Sequence, residues 1–427
     1  MGSKVIQAAL IFFYVAYLVA TVQGVEVSVK KSGAKGDGKC DDAPAFKKAW
    51  GEVCKAAAPS TLKVPAGKYM VGQIGFLGPC KSAITFDAGD ATFIAPTDPT
   101  AFKTKDGWIL FSMVKDLTVT GGTFDGRGSA AWKINNCNKN FNGNCKNLPI
   151  NLNFGTLTNG VVKGVTSVDS KFFHMNVIQA KNLTLSKITI KAPGDSANTD
   201  GIHIGRSHGV TVDGAEIKTG DDCISFGDGC QNVTVENVKC GPGHGISIGS
   251  LGRYPNEQPV MGVTVKHCKL SNTLNGVRIK TWPASPNGVA SGMHFEDVKM
   301  DNVSNPILID QQYCPWNQCK TGVPSKIKIS DVSFKEITGT SATKVAVKLL
   351  CSSGVPCNKV VLSGVKLEYK GTNGSAISEC DNVKPTLSGK NSPAICDASK
   401  GGAPEGAPAP GAPTPAPKKD APAPKKA

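Results

Sequence analysis

The sequence predicts an all-β solenoid of the parallel β-helix type, and three observations carry that expectation. A short apolar pattern recurs as Asp116-Leu-Thr-Val119, Asn182-Leu-Thr-Leu185, Gly209-Val-Thr-Val212, Asn232-Val-Thr-Val235 and Gly262-Val-Thr-Val265. From Asn182 onward neighbouring copies lie roughly 21 to 34 residues apart, which suits a solenoid coil and falls short of a propeller blade. Within each copy apolar and polar residues alternate, the mark of strands with one buried face. The 48 glycines and 6% aromatic content fit a turn-rich β chain better than a helical one. Looser copies follow at Gly292-Met-His-Phe295, Lys326-Ile-Lys-Ile329 and Lys359-Val-Val-Leu362, and glycine and asparagine punctuate the corners. No coil can bury its apolar side alone, so stacking must supply the core.

The elements fall in order along the chain. Residues 1–24 read as a secretory signal, with Lys4 before an apolar stretch and Gly24 at a plausible cleavage point; a signal anchor is the competing reading. Residues 37–56 carry a helix signal, with Asp41 or Asp42 as N-cap, Pro44 in the first turn, and Phe46, Trp50 and Cys54 recurring every four residues. One such helix would cover the open end of the solenoid core. The β-helix itself is expected to occupy 25–397 as a single domain. Residues 398–427 are nearly all Ala, Pro, Gly and Lys, a composition that cannot build a core and reads as a disordered tail.

The 15 cysteines fit an oxidising compartment, and the lack of paired C-x-x-C spacing argues against zinc. Close pairs such as Cys351/Cys357 and Cys380/Cys396 could staple short loops. Sequons at Asn182, Asn232, Asn302 and Asn373 are glycosylation candidates. The formal charge is +15, most of it in the body of the chain. In a secreted protein that charge points to an acidic polymer rather than nucleic acid as partner. Apart from the signal, no segment is long and apolar enough to span a membrane.

Four motifs carry the chemistry: Asn198-Thr-Asp200, Gly220-Asp-Asp222, Gly243-His-Gly245 and Arg278-Ile-Lys280. Asp200, Asp222 and His244 are spaced by 22 residues, so a repeating coil stacks them into a column. Three carboxylates that close cannot all stay ionised cheaply, and one should keep its proton near neutral pH. A protonated carboxyl beside an ionised one provides an acid for a leaving oxygen and a base for water, as glycosidic cleavage needs. A calcium site or corner-stabilising aspartates would explain the acids alone. His244 between two glycines could face open space and tune the neighbouring acid. Arg278 and Lys280 flank Ile279 and so share a strand face, where they would bind a substrate carboxylate or balance the aspartates.

In this order and spacing the four motifs resemble the signature of the polygalacturonases, the family 28 glycoside hydrolases. Neighbouring stretches match plant members too: Gly122-Thr-Phe-Asp-Gly-Arg-Gly128, Lys171-Phe-Phe-His-Met-Asn176, Asp195 to His203 and Asn305 to Cys314. The run Gly241 to Arg253 is similar to pollen-type exopolygalacturonases. The likeness covers roughly residues 26–396.

The resemblance implies a right-handed parallel β-helix that hydrolyses α-1,4-galacturonan with inversion, exo action being favoured over endo. By motif, Asp221 is the implied general acid, and Asp200 and Asp222 hold and deprotonate the water. His244 supports the acid's protonation, Arg278 and Lys280 bind the galacturonate carboxylate beside the cleaved bond, and Tyr313 lines the cleft, with Asn198 among the substrate-binding residues. It also implies a Cys223–Cys240 disulfide, no metal, no cofactor, and a secreted monomer acting on acidic polysaccharide in the cell wall. Two other readings are a non-catalytic pectin-binding wall protein and a calcium-dependent pectate lyase. The asparagine- and lysine-rich insertion Asn135–Asn147, with Cys137 and Cys145, is a candidate barrier at one end of the cleft.

Overall fold

The computed structural model describes residues 24–104, 106–135, 148–317 and 319–396. The expected signal, the tail and nearly all of the insertion, with Cys137 and Cys145, lie outside these residues.

Every strand pairing within the described residues is parallel, and each coil of chain adds one strand to the growing sheets. The sheet that matters for function has 11 strands, from Ile74–Leu77 through Ile202–Gly205, Ile224–Phe226, Ile246–Leu251, Asn275–Thr281 and Asn305–Asp310 to Ile377–Asp381. Its register is unbroken across the middle coils: Ile202, Ile224, Ile246, Val277 and Ile307 stand in one column. All five are fully buried. With strands about 4.8 Å apart, like sits on like, and each aliphatic side chain removed from water stabilises the stack by about 1.5–3 kcal/mol. The alternate positions, His203, Ser225, Ser247, Arg278 and Leu308, form the outward column of the same sheet.

The recurring pattern has a conformational origin. Its first residue is left-handed in each copy: φ is +55° at Asp116 and Asn182, +52° at Asn232, and +68° or +69° at Gly209, Gly262 and Gly292. Asparagine, aspartate and glycine tolerate that region best, which is why they mark this corner. One looser copy needs correction. Val332 pairs with Met293, so the unit aligned with Gly292-Met-His-Phe295 is Asp331-Val-Ser-Phe334 and not Lys326-Ile-Lys-Ile329. Ile327 and Ile329 are buried at the start of a 15-residue strand, and their alternation mimics the repeat five residues early.

This corner holds the sequons Asn182 and Asn232, and a second left-handed corner holds Asn302. Asn182 Nδ2 donates to Asn159 at 3.2 Å, Asn302 Nδ2 donates to Asn272 at 2.8 Å, and Asn232 Nδ2 lies 2.9 Å from His208. Asn373 sits exposed in a turn.

Helix α1 spans Ala43–Lys55 and buries Ala45, Phe46, Ala49, Trp50 and Val53. Phe46 packs against Tyr69, Phe86 and Phe93, and Trp50 against Phe76, so the helix covers the aromatic first coils. Cys54 is bonded to Cys80. Asp42 is the N-cap residue, but its side chain makes no capping bond. Its carboxylate accepts instead from Lys35 and Gly36 N–H, tying down the preceding loop.

Candidate active site

The tripeptide letters follow from how adjacent coils meet. The Thr199 hydroxyl accepts from Gly220 N–H at 3.0 Å and lies 2.7 Å from the Ser196 hydroxyl, which locks the turn before Asp200 to the turn before Asp221. A Cβ on Gly220 would stand 2.1 Å from the Ser196 carbonyl, so no other residue fits there. Gly245 has φ +89°, and a Cβ on it would lie 2.1 Å from the Asn275 carbonyl. The glycines around His244 therefore serve close approach of neighbouring coils rather than opening space for the imidazole.

Backbone bonding places Asp200 opposite Asp222, since Gly201 N–H donates to the Asp222 carbonyl and Ile202 N–H to that of Cys223. Asp222 is buried, and its two oxygens are taken by Arg278 and Lys280, each at 2.8 Å. The Ser247 hydroxyl adds a third bond at 2.8 Å. Asp221 meets His244 twice: its carboxylate is 3.0 Å from Nδ1, and its carbonyl accepts from the His244 N–H at 2.7 Å. Asn198 Nδ2 reaches the other Asp221 oxygen at 3.4 Å. Asp200 accepts from the Ser225 hydroxyl at 3.0 Å. The Tyr313 ring lies 5.3 Å from Lys280 Nζ and 6.0 Å from the Arg278 guanidinium carbon.

These contacts set the protonation pattern. Burial, reinforced by Asp221 and Asp222, pushes the Asp200 carboxyl well above the usual range. Burial would raise Asp222 as well, but Lys280 and Arg278 outweigh it and hold that group far below the ordinary carboxylate value. Asp221 resists the same penalty through the charge and hydrogen bond of His244, and stays low. Burial disfavours the charged form of His244, yet the Asp221 carboxylate more than compensates and raises the imidazole. Of the three carboxyls Asp200 is therefore the one most inclined to keep a proton, Asp222 is the most firmly ionised, between two cations, and the His244–Asp221 pairing favours a protonated imidazole beside an ionised acid.

Residues 54–394 match the family model of the glycosyl hydrolases family 28. The chain belongs to this family. It is 59% identical to an exopolygalacturonase of Arabidopsis thaliana over 87% of this chain and 83% of that one. It is 51% identical to an exopolygalacturonase of Platanus acerifolia, covering 87% of this chain and 98% of the relative. Among solved structures, the polygalacturonase from Erwinia carotovora superposes with a TM-score of 0.67 at 26% identity, covering 82% of this chain and 94% of that one. As in its family 28 neighbours, the coil is a right-handed parallel β-helix.

At this candidate site Ser225 and Ser247 hold Asp200 and Asp222, with His203 behind Ser225, and none of the three was singled out by motif. Their signal was present. They lie three residues after Asp222, His244 and Asp200, and so repeat the same 22-residue spacing on the next outward position. His203 Nδ1 lies 2.8 Å from the Ser225 hydroxyl, and burial depresses its pKa to about 4, so it is neutral. Asp221, Asp222 and His244 bring three potential metal-ligand atoms within 4.8 Å of one another. The two cations already on Asp222 oppose a divalent ion there.

Cys223 and Cys240 form a disulfide that ties the coil of Asp222 to the coil leading to His244. The bridge closes a loop of 17 residues, for which the chain-entropy model gives about 3 kcal/mol. Replacing both cysteines by alanine is expected to lower the unfolding free energy by about that amount, measured by denaturant titration.

Proposed function

We propose that the chain is a secreted hydrolase of α-1,4-galacturonan that acts from the chain end and inverts at the cleaved carbon. The observation that carries this reading is the Asp222–Arg278–Lys280 cluster facing the His244–Asp221 pair. A uronate carboxylate reaching Arg278 and Lys280 competes with Asp222 for the same two cations. Asp222 then loses the charges that depress it, and its basicity recovers as substrate seats. The added negative charge also draws the His244 proton toward Asp221. Asp221 gives that proton to the glycosidic oxygen as the C–O bond breaks. Water adds from the opposite face, its proton passing to Asp222, while Asp200 orients it. Asn198 steadies the acid, and Tyr313 covers the cationic pair.

End-directed cleavage is supported by the plant relatives named as exopolygalacturonases. The test is a time course of products from defined galacturonate oligomers, without calcium and with a chelator present. Monomer as the sole early product is the expected result. A mixture of oligomers would move the mode to internal cleavage. Loss of activity in chelator would overturn the acid–base scheme. Binding without turnover would favour a wall-binding protein.

A further inference from the structure

The Gly241–Arg253 run ends in residues that the catalytic scheme does not use, yet they continue the site. The Tyr313 ring, over Lys280, packs edge-to-face on Trp282 with centroids 5.9 Å apart. The guanidinium carbon of Arg253 lies 5.4 Å from the Trp282 ring and 4.8 Å from the Tyr254 ring. Contacts therefore lead from Asp222 through Lys280, Tyr313 and Trp282 to Arg253, stepping away from the carboxylates.

The end of this path is well built. The Glu257 carboxylate gathers three consecutive backbone N–H groups, from Gly252 at 2.6 Å, Arg253 at 3.0 Å and Tyr254 at 2.9 Å. The Trp282 backbone is pinned to the preceding coil, its main-chain N–H donating to the Leu251 carbonyl at 2.8 Å. Arg253 thus lies over two aromatic rings, contacts that restrict a guanidinium whose planar fork of N–H donors suits a planar carboxylate. Arg253 is half-buried and Tyr254 is exposed.

We propose that Arg253, held over the rings of Tyr254 and Trp282, is a second carboxylate-recognition point that takes the uronate one sugar beyond the one held by Arg278 and Lys280. The site then reads two successive acidic sugars. Arg253 sets preference for substrates of three or more units and for unesterified chains. This rests on the reading of Arg278 and Lys280 as the first carboxylate site.

The test compares trigalacturonate with the same trimer methyl-esterified on the sugar farthest from the cleaved bond. In the wild type, esterification is expected to raise KM about tenfold, the scale of one charge-assisted hydrogen bond, with kcat little altered. In Arg253→Gln the free trimer should show that raised KM already, and esterification should add nothing further. Digalacturonate should be affected much less than the trimer. An ester effect of the same size in wild type and variant would overturn the proposal, because a merely structural arginine would leave that coupling intact. If Arg253→Gln fails to fold, Arg253→Lys keeps the charge without the planar fork. It should then show an ester effect between one- and tenfold, and an undiminished one would overturn the assignment. Wild-type enzyme that cleaves neither dimer nor trimer would refute the galacturonan reading itself, not the role of Arg253.

Discussion

Asp221→Asn is expected to lower kcat by about 10³-fold with little change in KM. The size is that of a positioned proton donor. The side chain does not bind the cations, so uniform substrate binding should survive. The fold should persist because asparagine keeps an oxygen for the Asp222 N–H, which Asp221 accepts at 2.8 Å, while the charge pairing with His244 and the stability it contributes are lost. A second readout ties the loss to the proton rather than to shape. Asp221 is the group that lifts His244 above its ordinary value against the cost of burial. With a neutral amide in its place, the His244 pKa should fall, and the imidazole resonances followed by NMR should titrate at lower pH than in the wild type. An unmoved His244 titration would mean that the pair does not store the proton, and the acid would have to be sought elsewhere.

Much of this was legible in the sequence because a solenoid writes its geometry into spacing. The 22-residue interval of Asp200, Asp222 and His244 is one coil each, and coil stacking turns interval into proximity. Corner asparagines and glycines were readable because left-handed φ restricts residue choice. Three things were not legible. The Lys326-Ile-Lys-Ile329 frame failed because alternation shows a strand but not where along a long strand the corner falls. Ser225 and Ser247 were passed over because a serine in a β-strand is common, and only the register that sets Ser247 beside Arg278 and Ser225 beside His203 gives them partners. The resting place of the site's protons was hidden as well. That three clustered acids should share a proton followed from charge alone. That the raised acid is Asp200 and the depressed one Asp222 depends on both cations reaching across two coils to Asp222, contacts between residues 56 and 58 positions apart.

That asymmetry separates two carboxylates that the motifs treat alike. Asp200→Asn should cost little stability, because asparagine imitates the uncharged form that burial and the neighbouring carboxylates favour at this position. Asp222→Asn should cost about 3–5 kcal/mol, because it leaves Arg278 and Lys280 buried beside each other without their anion. Both variants should lose most activity, so only stability tells them apart. The pH dependence differs in sign. A carboxyl whose folded pKa is raised contributes stability at low pH that is lost as pH rises through that value. The advantage of Asp200→Asn over the wild type should therefore grow with pH. A carboxyl whose folded pKa is depressed contributes stability above its unfolded value that is lost as pH falls through the folded one. The deficit of Asp222→Asn should accordingly shrink in acid, below the ordinary carboxylate range. Denaturant titrations of the three proteins across pH would check both trends. Equal losses at neutral pH, with parallel pH profiles, would mean that the two cations are shared between the acids and that the proton has no fixed place among them.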